Sequence, residues 1–362
     1  MSALRGAGAV AAGCLLGLMT MAPAHADGVR GQQWYLSSLD LGAAHAVTKG
    51  GGVIVAVVDS GVDATHPDLQ GAVLPGTETA GTKDADGRGT ALASLIAGHG
   101  HGTGNADGVV GVAPGASILP IAFAPRAGEA GDPAALAAGI DLAVSKGAKV
   151  ICVGRGVTPN PRLREAVEGA VEQDVLVVAA DGDVPNGTFS PWPSSVQGVL
   201  TSIPLDRSGN VVAAPASRQT SGIGVPGVEL ISATAGGGYR MQTGATGAGL
   251  LCGAAALVRS AYPQMSPSQI ADRLRATATD RGATGPDSQY GAGVLNLRAA
   301  LAGATAPGSA TATPSRSAAV PQQQRQVGVA LADSRDWHRW LVVAPLVIFV
   351  AGLIVFALRR AA

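Results

Sequence analysis

Four short apolar runs limit what this chain can fold into. Residues 53–58, 116–123, 149–153 and 175–180 are dominated by Val, Ile, Leu and Ala. Runs of this length without polar alternation read as strands buried on both faces, as in a parallel sheet. Helical patterns lie between and after them. Asp132-Pro133 supplies an N-cap and a proline at the first helical position, and Leu136, Ile140 and Val144 follow at four-residue spacing. Asn160-Pro161 opens a second helix with Leu163, Val167 and Val171 on one face, and Ser266-Pro267 opens a third. Strands alternating with helices predict an α/β fold: a doubly wound parallel sheet with helices on both faces. Ligands are expected at the carboxyl ends of its strands.

The 362 residues are ample for one sizeable core. With 25 basic and 25 acidic residues the formal charge is zero, so no face is forced to be basic and no nucleic-acid partner is expected. The two ends read differently from the body. Residues 1–26 form a secretory signal: Arg5, an apolar stretch over 9–21, and the small-residue cleavage site Ala24-His25-Ala26, leaving Asp27 as the mature start. Cys14 falls inside the discarded segment. At the far end, residues 341–358 are apolar throughout, within a transmembrane segment placed at 337–360. Trp337 and Trp340 flank that stretch on one side, and Arg359 and Arg360 follow it on the other. That arrangement predicts a single-pass cell-membrane protein whose main domain, residues 27–302, is extracytoplasmic. Residues 303–336, rich in Ala, Pro, Ser, Thr and Gln, form the tether between them. Cys152 and Cys252 survive processing, and both sit in apolar runs. Two buried thiols and one disulfide are both compatible with that pattern.

Several motifs in fixed order carry a family resemblance. They are Val55-Ala56-Val57-Val58-Asp59-Ser60-Gly61-Val62-Asp63, then His66-Pro67-Asp68-Leu69, Gly111-Val112-Ala113-Pro114-Gly115-Ala116 and Tyr290-Gly291-Ala292-Gly293-Val294-Leu295-Asn296. The chain resembles the subtilisin-like serine peptidases (peptidase S8). With Gln32-Gln33-Trp34 before the first strand, a signal, a linker and a C-terminal span, it looks like the mycosins, which are associated with type VII secretion. The resemblance implies a Ser nucleophile, a His base, an Asp that orients the His, and a donor for the oxyanion.

Matched to those roles, only Asp59 keeps the family's residue. The helix that the family opens with Gly-His-Gly-Thr opens here with Gly87-Arg88-Gly89-Thr90, so Arg88 takes the place of the His. A guanidinium does not give up its proton in a protein, so it cannot serve as general base. It can pair with Asp59, and a charge-assisted Arg88–Asp59 contact is expected. The oxyanion Asn is replaced by Asp183, a carboxylate that donates nothing when ionised. Counted without gaps, Ala245 stands at the Ser position; with one deletion Thr246 does. Gly154, Arg155 and Gly156 stand at the substrate-binding edge. Gly100-His101-Gly102-Thr103-Gly104 spells the His motif better, but no apolar-periodic helix follows it, so His101 reads as a loop residue. His66 matches a structural histidine of the family.

These substitutions predict a catalytically inactive pseudoprotease acting in binding or assembly, without cofactor or metal. Its expected partner is a polypeptide or a protein of the secretion machinery. The alternatives are an active mycosin-like endopeptidase using a rearranged site, such as His101 with Thr246, and a different hydrolase built on Asp59 and Asp183.

Overall fold

The computed structural model describes residues 28–75, 82–124, 126, 131–181, 191–212 and 220–303. Three short helices come first: α1 (Gly28–Gln32), α2 (Tyr35–Ser38) and α3 (Leu41–Val47). Strand β1 (Ile54–Asp59) follows, then α4 (Arg88–Ala97) and the hairpin strands β2 (His99–His101) and β3 (Asp107–Val110). After them come β4 (Ser117–Ala122), α5 (Pro133–Ser145), β5 (Val150–Val153), α6 (Pro161–Glu172) and β6 (Leu176–Ala180). The rest comprises β7 (Leu200–Leu205), β8 (Ile223–Pro226), β9 (Leu230–Ala233), β10 (Tyr239–Gln242), α7 (Ala248–Ala261), α8 (Pro267–Ala276) and α9 (Leu297–Leu301).

Six strands form one sheet in the order β4-β1-β5-β6-β7-β8, and every pairing in it is parallel. All four apolar runs are strands of this sheet. The pleat sends alternate residues of β1 to opposite faces. Val55 and Val57 join a core with Leu92, Leu95 and Ile96 of α4 and Leu250, Leu251 and Leu257 of α7. Ala56 and Val58 join another with Leu136 and Ile140 of α5 and Leu163 and Val167 of α6. Two buried faces explain why polar alternation is missing from the strands. Each of the three proline-opened helices is capped as its sequence implies. Asp132 accepts from the Ala134 and Ala135 amides, Asn160 from Arg162 and Leu163, and Ser266 from Gln269 in a capping box.

The strand order reverses beside β1: the chain steps from β1 outward to β4, then back across to β5. Such a switch point leaves a crevice at the carboxyl ends of the two central strands. Asp59 ends β1, and Gly154 follows the last residue of β5. The fold thus brings together two segments almost a hundred residues apart.

Cys152 of β5 and Cys252 of α7 are joined in a disulfide, with Cα atoms 5.9 Å apart and a sequence separation of 100. Both are fully buried. Of the two states open to the apolar cysteines, the fold takes the cross-linked one, because α7 packs directly on β5. The expected membrane span at 341–358, the tether and the signal lie outside the described residues. Among the described residues no helix is long and apolar enough to cross a membrane.

Closing a loop of that length restricts the unfolded chain strongly. Replacing both cysteines by Ala should therefore destabilise the domain by about 2–5 kcal/mol. Thermal melting of the double variant beside the wild-type protein checks this. An unchanged melting temperature would show that the cross-link contributes nothing.

Candidate functional site

The crevice is organised by Asp59, whose side chain is fully buried at the end of the central strand. Its Oδ1 accepts a hydrogen bond from the Ser60 amide at 2.8 Å. Arg88, the first residue of α4, brings Nε to 2.7 Å from the same oxygen. The N–H is not aligned along that line: Arg88 Nε and Nη2 and Asp59 Oδ2 are all buried without a hydrogen-bond partner. The contact expected from sequence is thus an ion pair, and the aligned charge-assisted bond is not formed. The three orphaned atoms are mutually complementary, two donors on one edge of a guanidinium against one carboxylate oxygen. Burial pushes the Asp59 carboxyl above the ordinary range, against the opposing pull of Arg88, the Ser60 amide and Arg155.

A second carboxylate extends the pair. Asp86 Oδ2 lies 3.1 Å from Arg88 Nη1 and 3.5 Å from Arg155 Nη2. Arg155 leaves the end of β5 and is only 9% exposed. Two cations and two anions thus run across the crevice from Asp59 to Arg155. Gly154 and Gly156 are buried with Arg155, so the expected substrate-binding edge is folded inward at these three residues. Gly154 is held to glycine by this arrangement. A Cβ there would stand 2.7 Å from Asp59 Oδ2 and 2.6 Å from Leu92 Cδ1.

Why Arg88 sits at the start of a helix is answered by Asp84, which the sequence reading passed over. Gly87 precedes the helix with φ +84° and has no side chain to cap it. Asp84 does this from further back. Its Oδ1 accepts from the Gly87 amide and the Ser60 hydroxyl, both at 2.8 Å, and its Oδ2 accepts from the Thr90 amide at 2.8 Å and the Thr90 hydroxyl at 2.7 Å. Ser60 Oγ accepts in turn from the Gly89 amide at 3.0 Å. Gly89 is obligatory, since a Cβ would fall 1.9 Å from the Gly61 carbonyl oxygen. The helix start is therefore sewn to the end of β1, and Arg88 faces Asp59. An Asp four residues ahead of the helix, in Asp84-Ala85-Asp86-Gly87, was the available signal.

The remaining candidates fall as follows. Ala245 begins a single 3-10 turn, Ala245–Gly247, that runs into α7. Ala245 is half-buried, whereas the Thr246 side chain turns inward, at 5% exposure. Asp183 lies outside the described residues. His101 is an end residue of β2, followed only by a single 3-10 turn, Thr103–Asn105, and its Nδ1 is 2.7 Å from Asp68 Oδ1. His66 is 1% exposed; its Nδ1 accepts from the Asp68 amide, so its Nε2 donates to the Gly238 carbonyl at 3.1 Å. Asp63 is spent on loop contacts, accepting from Thr65 in its own loop and from the Gly236 amide of a distant one. Among the described residues no group of three or more His, Cys, Asp or Glu side chains could hold a metal ion.

Removing Arg88 should expose the cost of a buried, unpaired carboxylate. Arg88→Met is expected to destabilise the fold by about 3–5 kcal/mol at pH 8. The folded pKa of Asp59 already lies above its unfolded value, and losing the cation lifts it further. The neutral carboxyl favours the fold at low pH, and that contribution is lost as pH rises through the raised pKa. The penalty should therefore shrink at pH 5. Guanidinium unfolding at both pH values reads this, and equal penalties would show that Arg88 does not neutralise Asp59.

The Subtilase family model matches residues 50–293 of the chain. Subtilisin Savinase of Lederbergia lenta is 34% identical over 276 residues, which cover 74% of this chain and 97% of that protein. Among solved structures, MycP3 protease from the type VII (ESX-3) secretion system superposes with TM-score 0.60 and 29% identity, over 74% of this chain and 87% of that one. MycP1 with its N-terminal propeptide removed superposes with TM-score 0.62 and 26% identity, over 74% and 97%.

Proposed function

The chain belongs to the subtilase family, and on that premise we propose that it is a catalytically inactive, mycosin-like member that binds or assembles instead of cutting peptides. The observation that carries this reading is Arg88 against Asp59. Peptide hydrolysis by a hydroxyl nucleophile needs a group beside that Asp which accepts a proton and returns it. A guanidinium 2.7 Å away already holds all its protons and keeps them. Ala245, which has no hydroxyl, at the nucleophile position supports the same conclusion, as does Asp183 at the oxyanion position. The rearranged alternative finds less support. The imidazole of His101 is committed to Asp68, and the Thr246 side chain is buried.

Family membership implies a polypeptide ligand. In this proposal the former cleft, or the outer faces of the domain, holds an extended peptide or a protein of a secretion machine. The likeness to MycP3 supports the type VII context. The domain is proposed to lie outside the cytoplasm, held by the apolar segment at 341–358. A cross-link buried in its core supports that compartment, because such bonds persist where the surroundings are oxidising.

Exposure of the purified full chain to a serine-directed fluorophosphonate and a broad peptide library tests the catalytic part. The expected outcome is no labelling and no cleavage above background. Labelling that vanishes in Thr246→Ala would overturn the proposal. For the location, the protein should pellet with membranes and resist alkaline carbonate, and a chain ending at residue 333 should become soluble. A full-length chain extracted by carbonate would remove the anchor from the proposal.

A further inference from the structure

Away from the crevice, one guanidinium gathers several backbone carbonyls. Arg30 of α1 donates to three backbone carbonyls at and just before the start of β3: Nε to Gly108 at 3.0 Å, and Nη2 to Asn105 and to Asp107, each at 3.0 Å. These oxygens belong to the loop and strand that follow β2, where left-handed backbone recurs at Gly100, Gly102, Gly104, Asn105 and Gly108. Turns of this kind bring carbonyls together on one side of the chain. Such carbonyls are costly unless a donor meets them. Gly100 makes room for the donor, since a Cβ there would lie 2.6 Å from Arg30 Nη2.

The rest of the arm continues the attachment. The Gln33 side chain pairs with both backbone groups of Val110, its Oε1 accepting from the amide at 3.0 Å and its Nε2 donating to the carbonyl at 2.9 Å. The buried Tyr35 hydroxyl reaches the same carbonyl at 3.3 Å. Arg30, Gln33 and Tyr35 thus hold residues 105–110 from one side. From the other side, buried Asp68 accepts from the Val109 amide and from His101 Nδ1, both at 2.7 Å. The chain beyond the hairpin then carries the load to the helix that bears Arg88. Gly111, Val112 and Ala113 donate to the carbonyls of Gly98, Leu95 and Ile96 at the end of α4.

We propose that residues 28–33 form a strap whose key is Arg30, a tethered cation that holds the 105–110 segment closed and can be released without unfolding the central sheet, while Tyr35 stays anchored in the core. Arg30 and Gln33 reach this segment through their side chains, and the helix α1 that carries Arg30 buries none of its own residues. The strap therefore opens locally, at a free energy below that of global unfolding. Its release frees converging carbonyls next to Asp68 and His101 and loosens the far end of α4.

Hydrogen exchange on the purified full chain, read by mass spectrometry, tests the strap with Arg30→Gln, which removes the charge and the fork while keeping a polar side chain. The expected result is exchange at least about ten-fold faster over residues 105–110, with β5 amides at 150–153 keeping their wild-type rates. Wild-type rates over 105–110 would overturn the proposal. So would acceleration of β5 by the same factor, since the variant would then act on global stability alone. If Arg30→Gln fails to fold, Arg30→Lys is read the same way: it keeps the charge but cannot reach three carbonyls with one planar fork. Fast exchange confined to 105–110 supports the strap, and its absence overturns it.

Discussion

A carboxylate at the end of a strand buried on both faces must be neutralised, and in this chain the neutralising group is Arg88. Asp59 lies where the sheet changes winding direction, sealed by β5 on one side and α4 on the other. Desolvating such a charge costs several kcal/mol, and a paired cation offsets part of that cost. Much of the local architecture follows from placing the cation. Asp84 caps α4 so that the helix begins at Arg88, Ser60 ties that cap to β1, and Gly89 and Gly154, having no side chains, leave room for the Gly61 carbonyl and the Asp59 carboxylate.

The same pair separates scaffold from chemistry. An imidazole in this place could shuttle a proton; a guanidinium supplies only charge. In the proposed reading, the frame of a catalytic site survives, with its strand end, helix start and carboxylate, without a proton acceptor beside that carboxylate. Asp86 and Arg155 extend the ionic run across the crevice.

The parts of the fold readable from sequence are those decided within a few residues. Continuous apolar runs became the sheet because both their faces are covered. Asp132, Asn160 and Ser266 cap helices through amides two or three residues away, so the signal and its target share one window. The run at 116–123 shortens to a strand over Ser117–Ala122, since only those residues pair with β1. Asp84 was missed because Gly87 takes the N-cap position and the capping carboxylate reaches in from three residues before it. Arg30 was missed because its partners lie about 75 residues away and are backbone oxygens, which leave no residue-type signature.

Residue chemistry, readable without coordinates, established that the helix after the first strand opens with a side chain unable to act as base. It also established that a lone carboxylate ends that strand. Only the folded chain decided that Arg88 turns onto Asp59, that Cys152 and Cys252 meet, and that the Thr246 side chain points inward. The reason is physical. Propensity and capping are local energies written in adjacent residues. Charge neutralisation, cross-linking and burial depend on which distant segments the sheet brings within a few ångströms of each other.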